Sequence, residues 1–250
     1  MFLNNIKGYS LFEMIIVIVI ISVLTTITLK SLKTSSDINR VEKTKEELLQ
    51  LAYSIAGNPN VVSAGKRTDF GYIGDIGALP ANLDALVQNP GGYTTWNGPY
   101  LKDDYYLSAA SSESEFKIDA WGTAYTFSGS ITISSTGSGS SITQKIANSS
   151  NDLLLNEISA VITDINNSPP GTTYKDSLRF ILSYPNGTGS TTNKSLTPSR
   201  NGFIQFDSIP IGIHTLKIAY IPTADTLTRI ISVAPGQNYY TEIQLNEDLW

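Results

Sequence analysis

From Tyr9 to Leu29 the chain runs through apolar and small hydroxyl residues with one charge, Glu13, and neither Pro nor Gly. At about 1.5 Å rise per residue, a helix over that run covers roughly 30 Å, the thickness of a bilayer's hydrocarbon core. Ile15 to Val23 is mostly β-branched, which on propensity alone favours a strand. An open strand in lipid leaves its backbone groups unpaired, so length and setting select a helix. The run is too long and too uniformly apolar for the core of a secretory signal, and no small-residue cleavage site follows it. The pattern predicts a membrane helix over residues 9–29.

Beyond Leu29 the pattern becomes amphipathic. Ile38, Val41, Leu48, Leu51, Ala52 and Ile55 fall on one side at helical spacing, with Lys43, Glu46 and Glu47 elsewhere. Lys43 and Glu47 form an opposite-charge pair four residues apart. Gly57-Asn58-Pro59 is a stop signal. The sequence thus predicts one rod over 9–56, roughly 70 Å long, its first half in a membrane or filament core and its second half against a head.

The next stretch is punctuated by turns. Pro80 or Asn82 opens a short helix over 79–87, and Asn89-Pro90-Gly91-Gly92 and Asn97-Gly98-Pro99 break the chain. Trp96, Tyr100, Trp121, Tyr125 and Phe127 supply the aromatics of a small core. Ile131-Thr132-Ile133 reads as its last strand, after which Ser, Gly and Thr dominate as in a flexible linker. From Asp152 onward short alternating runs recur: 158–165, 178–184, 202–206, 214–220, 227–233 and 239–245, with Pro/Gly breaks between them. Such spacing predicts an antiparallel β-sandwich. The expected organisation is α+β: a leader over 1–8, the helix over 9–56, a head over 57–135, a linker over 136–151 and a sandwich over 152–250.

Composition narrows the chemistry. Net charge is −5 and no basic run lies outside the helix flanks, which argues against nucleic acid as a partner. There is no Cys and one His, His214, so thiolate metal sites, Cys-His pairs and multi-histidine sites are ruled out. His214 lies in an alternating run, the setting of a structural residue. Gly137-Ser138-Gly139 lacks the Lys and the strand-to-helix context of a phosphate loop. Neither a catalytic group nor a cofactor is expected. Lys7 precedes the apolar run while Lys30, Lys33 and Arg40 follow it, so flanking charge does not set orientation.

The leader ends in Lys7-Gly8, and Tyr9-Ser10-Leu11-Phe12-Glu13 opens the apolar run. This order resembles the class III signal of type IV pilins and type II secretion pseudopilins. The resemblance implies cleavage after Gly8 by a prepilin peptidase and N-methylation of Tyr9. It further implies self-assembly with identical or related subunits on an inner-membrane platform, with the domains beyond the helix outside the cytoplasm. Tyr9 replaces the usual Phe or Met, and Lys30 stands where pilins commonly carry a helix-bending Pro, which implies a straighter helix. A carboxylate well inside a bilayer costs about 2.5–3.5 kcal/mol on insertion scales, so Glu13 calls for a partner. Cleavage would create one in the Tyr9 amine, and a pair at about 4 Å is worth roughly 4 kcal/mol at an effective dielectric near 20. Glu13 and Tyr9 are therefore the expected assembly contacts; the plainer reading is that Glu13 snorkels to the headgroups.

Two further resemblances concern the folds. A Pro-Leu helix near Leu79, Trp96-Asn97-Gly98-Pro99-Tyr100 and Asp119-Ala120-Trp121-Gly122 follow one another as in the head of major pseudopilins. Those heads often bind calcium in the loop that corresponds here to 133–141. That loop has no carboxylate, so the site is not carried over. Asp103 and Asp104, an adjacent acidic pair, read as a solvated turn. Gly202 to Leu216, with Phe203, Phe206, Pro210 and Gly212, is similar to carboxypeptidase-regulatory-like sandwiches. The expected function is a structural subunit of a type II secretion pseudopilus or a related filament. The alternatives are a minor or tip pilus subunit with an adhesive sandwich, and an anchored binding protein that never polymerises.

Overall fold

The computed structural model describes residues 10–101 and 115–250; Gly8, Tyr9, Asp103 and Asp104 lie outside the described residues. Helix α1, Leu11–Ala56, runs unbroken from the apolar stretch into the head. Its β-branched half is helical, as the membrane argument requires. Five hydroxyls, from Ser22 to Thr34, bond back to the carbonyl four residues earlier instead of standing unpaired. The head covers the far end of α1: Leu48, Leu51, Ala52, Ile55 and Ala56 are buried, while Ile38, on the expected stripe, stays 56% exposed.

The head is built of short pieces around that end. A small hairpin, β1 (Val62–Ser63) with β2 (Lys66–Arg67), leads to helix α2, Gly71–Ile76. A 3-10 turn, Leu83–Leu86, is capped by the Asn82 side chain, which accepts the Ala85 N–H. Trp96 donates its indole N–H to Ala85 O and packs edge-on against Tyr100. Strands β3 (Thr132–Ser135) and β4 (Ile142–Lys145) pair antiparallel. The expected flexible linker over 136–151 therefore contains a strand and the start of helix α3, Ser150–Leu154. Its Ser/Gly composition is the turn chemistry of a hairpin, and Ile142 packs onto the head core.

The sandwich has a four-stranded sheet, in the order β10 (Asp225–Val233), β9 (Gly212–Tyr220), β6 (Leu178–Pro185), β7 (Thr191–Leu196). It faces a three-stranded sheet, β11 (Tyr239–Gln244), β5 (Asn156–Thr163), β8 (Phe203–Ile209). Six of these strands occupy the runs read from sequence; β7, with its Thr-Thr-Asn-Lys-Ser-Leu sequence, does not. Pairing is antiparallel except between β11 and β5, which run parallel. Phe180 and Phe206 fill the core, and Phe203 lies at the edge, 41% exposed.

Head and sandwich interlock. Ile211, in the turn between β8 and β9, is fully buried in the head's core, and its N–H donates to Leu153 O. Gly187 N–H donates to Ile76 O, Thr94 N–H to Gly189 O, and Ser232 Oγ to Arg67 O. Gly77 ends α2 at φ +80°, and a Cβ there would lie 2.4 Å from Pro185 O, so glycine is required twice over.

His214 sits beside this seam, fully buried, with its ring edge-on to Tyr184. Nε2 donates to Pro210 O at 2.7 Å, while Nδ1 has no partner among the described residues. Burial holds its pKa below the usual 6.5. The unfolded chain then binds the proton more readily than the fold. The stability of the neutral ring is therefore present above pH 6.5 and lost as pH falls below it. Between pH 7.5 and 5.5 the full chain is expected to lose thermal stability, and His214→Gln, whose amide can still donate to Pro210 O, should flatten that loss. Equal pH profiles for the two proteins would show that His214 does not set it.

Candidate assembly site on the N-terminal helix

The site begins at the first turn of α1. Ser10 is the N-cap, in extended conformation, and its Oγ accepts the Glu13 N–H at 3.2 Å. The Glu13 carboxylate reaches back and accepts the Ser10 N–H at 3.0 Å. This reciprocal capping box satisfies two of the helix's orphan donors and places a negative charge at the positive end of the helix dipole. The Glu13 carboxylate thus has a partner within its own chain, a role the sequence reading did not assign. The signal was present as Ser-x-x-Glu at 10–13. Gly8 and Tyr9, the other expected site residues, fall outside the described segment.

Beyond the cap, the apolar half of α1 packs on none of the other described residues. From Leu11 to Leu32 its large side chains are exposed, and the helix is long and apolar enough to cross a membrane. Toward the head the helix becomes anchored. Glu47 ion-pairs with Lys43 at 3.4 Å and accepts the Tyr125 hydroxyl at 2.6 Å, and Thr44 Oγ accepts the Ala120 N–H.

The far end of α1 is held from a distance. Its last turn carries no basic residue, so its orphan carbonyls need an outside donor. Arg67, on β2, supplies it: Nη2 donates to Ala56 O and, at 2.8 Å, to Gly57 O, and the guanidinium lies over the Phe70 ring. Burial lowers the Arg67 pKa, partly offset by Asp69.

The polar groups of the head serve its own turns. The Asp119 carboxylate accepts from Trp121 N–H, Thr123 N–H, Ser135 Oγ–H and Gly137 N–H. A cleft of about 290 Å³ beside Gly71 holds Asp69 and Asp75. Asp69 accepts the Asn58 and Gly71 N–H groups, and Asp75 accepts the Tyr100 hydroxyl at 2.7 Å. Burial raises the Asp75 pKa, and burial next to that carboxylate raises the phenol of Tyr100. Among the described residues no group of three or more His, Asp or Glu side chains is arranged to hold a metal ion.

A helix that leaves its apolar half bare and seats a head on its far end fits membrane anchoring and a pilin-type subunit. Comparison with known proteins agrees. The prokaryotic N-terminal methylation motif matches residues 3–29. The type II secretion system core protein G of Xanthomonas campestris pv. campestris is 31% identical over 118 residues, which span 47% of this chain and 73% of that protein. The chain belongs to the type IV pilin and type II secretion pseudopilin family.

Among solved structures, the Bacillus anthracis TIE protein matches with a TM-score of 0.30 and 18% identity, over 36% of this chain and 16% of that one. BcpA, the major pilin subunit of Bacillus cereus, matches with a TM-score of 0.24 and 13% identity, over 47% of this chain. Both likenesses are partial, since the chain spans 16% and 37% of their lengths. The family's members are structural, and this chain is a pilin-like filament subunit.

Proposed function

We propose that the chain is a structural subunit of a type II secretion pseudopilus or a closely related filament. A prepilin peptidase removes 1–8, Tyr9 becomes the methylated N-terminus, and subunits polymerise through α1. The observation that carries this reading is α1 itself. It is apolar and uncovered over the length of a bilayer, it begins within the methylation motif, and the one carboxylate of its apolar half, Glu13, lies in the first turn. Lipid is as apolar as Ile, so burial between such helices sets no stagger, and the Glu13 carboxylate beside a new amine at Tyr9 would supply one. The inner-membrane assembly platform and related subunits are the partners of this reading, and the head with its sandwich lies outside the cytoplasm.

The test is the N-terminus of protein recovered from membranes and from polymer. Mass spectrometry is expected to give a chain that starts at N-methylated Tyr9. A bulky replacement of Gly8 should leave the precursor intact. Assembled protein that retains Met1 would overturn the assignment.

A further inference from the structure

Among the described residues, four loops are closed in one way. The first residue donates its N–H to the carbonyl four residues on, and its side-chain oxygen accepts the N–H groups of the second and fourth residues after it. Ser199 does this for Asn201 and Phe203, and Asn186 for Thr188 and Ser190. Asp119 does it for Trp121 and Thr123, and Asp164 for Asn166 and Ser168. One oxygen suffices, as the uncharged Asn186 and Ser199 show, so a carboxylate at this position brings a charge and a second oxygen that the loop does not use.

At Asp119 the second oxygen is taken up by Ser135 Oγ–H and Gly137 N–H. At Asp164 it is not. Asp164 is fully buried, and among the described residues Oδ2 has no hydrogen-bond partner and no ion pair includes it. A buried carboxylate oxygen without a donor is strongly unfavourable, because burial strips its water and supplies nothing in return. The side chains of Asn166 and Ser168, two and four residues on, are exposed and make no hydrogen bond among the described residues. Alternate oxygen-bearing side chains after an Asp are what the first half of a calcium loop presents.

We propose that the Asp164–Ser168 loop of the sandwich binds a hard divalent cation of calcium type, with Asp164 Oδ2 as its charged ligand and the side-chain oxygens of Asn166 and Ser168 beside it. Oxygen donors select a hard ion, and a loop with one carboxylate favours calcium, which tolerates irregular neutral ligands, over magnesium, which gives up water reluctantly. One charge among neutral oxygens places the affinity at the weak end, a Kd on the order of 10⁻⁴–10⁻³ M, as in modules that work outside the cell. The inference does not rest on filament assembly.

Trp250 provides a reporter, because its indole N–H donates to Ser168 O at 2.8 Å. The experiment titrates the full chain in detergent micelles with calcium, magnesium and potassium chlorides at matched ionic strength, following Trp fluorescence and Tm. Calcium at about 10 mM should favour the folded state roughly tenfold for a Kd near 1 mM, with a parallel fluorescence change. Asp164→Asn should fold without added ion, since its amide oxygen can accept the same two N–H groups as Asn186 does, and should lose the calcium response. A wild-type chain that ignores calcium, a variant that responds as wild type does, or an equal response to potassium would each overturn the proposal.

Discussion

Glu13→Leu is expected to leave membrane insertion and cleavage intact and to reduce polymer at least tenfold. The change removes a carboxylate from the apolar end of α1, so insertion becomes easier by about 2.5–3.5 kcal/mol on the same insertion scale. It also removes one interaction seen in the structure and one that is proposed. One is internal: the carboxylate accepts the Ser10 N–H and completes the capping box. The other is the proposed pair with the Tyr9 amine of a neighbour, worth roughly 4 kcal/mol at about 4 Å and an effective dielectric near 20. Glu13→Gln tells them apart, because Gln still serves a capping box but carries no charge. If charge pairing sets the stagger, Gln should lose most of the polymer while the helix start stays protected from exchange. If capping is the whole role, Gln should polymerise like wild type and Leu should not. Wild-type polymer per unit of mature protein from both variants would show that Glu13 snorkels and sets nothing.

Ile211→Ala should destabilise the head, although Ile211 belongs to the sandwich by sequence. Its side chain is fully buried in the cluster formed by Leu48, Ile55, Ile73 and Leu153. Truncating such a residue costs about 2–5 kcal/mol, the transfer of the lost carbons plus the cavity they leave. Hydrogen-exchange protection is expected to fall together in α2 and in β9, with an earlier unfolding midpoint for the full chain. Ile213→Ala, two residues on and half exposed, is the control and should change stability by about 0.5 kcal/mol or less. A loss below about 1 kcal/mol at Ile211, or one confined to the sandwich, would mean that the seam transmits little.

The helix and its stop were legible because each rests on a local signal: a long apolar run, a stripe and Gly57-Asn58-Pro59. The sandwich was legible where strands have one wet and one dry face. It was not legible at β7, an edge strand whose polar Thr-Thr-Asn-Lys sequence carries no apolar alternation. Nor was it at β4, where Ile142 is the one large apolar residue of the strand. Helix α2 is six residues long, too short for a helical period to show. In the site, Glu13 stood out as a lone charge, while its bond to Ser10 was readable as a capping motif. The Arg67 cap was beyond reach, because it depends on a hairpin that returns to the helix end. The interlock at Ile211 is likewise non-local, since nothing in a Pro-Ile-Gly turn names the core it enters.

The Arg67 cap has a mechanical consequence. Tension applied to the sandwich enters the head along the chain, through the Ile211 plug and through the hydrogen bonds at Ile76, Thr94 and Arg67. From β2 the Arg67 guanidinium grips the carbonyl of Ala56, the last residue of α1, and that of its C-cap, Gly57. The load path from the sandwich therefore ends on the axis of the helix itself, and pulling on the sandwich loads that axis directly rather than a slack tether.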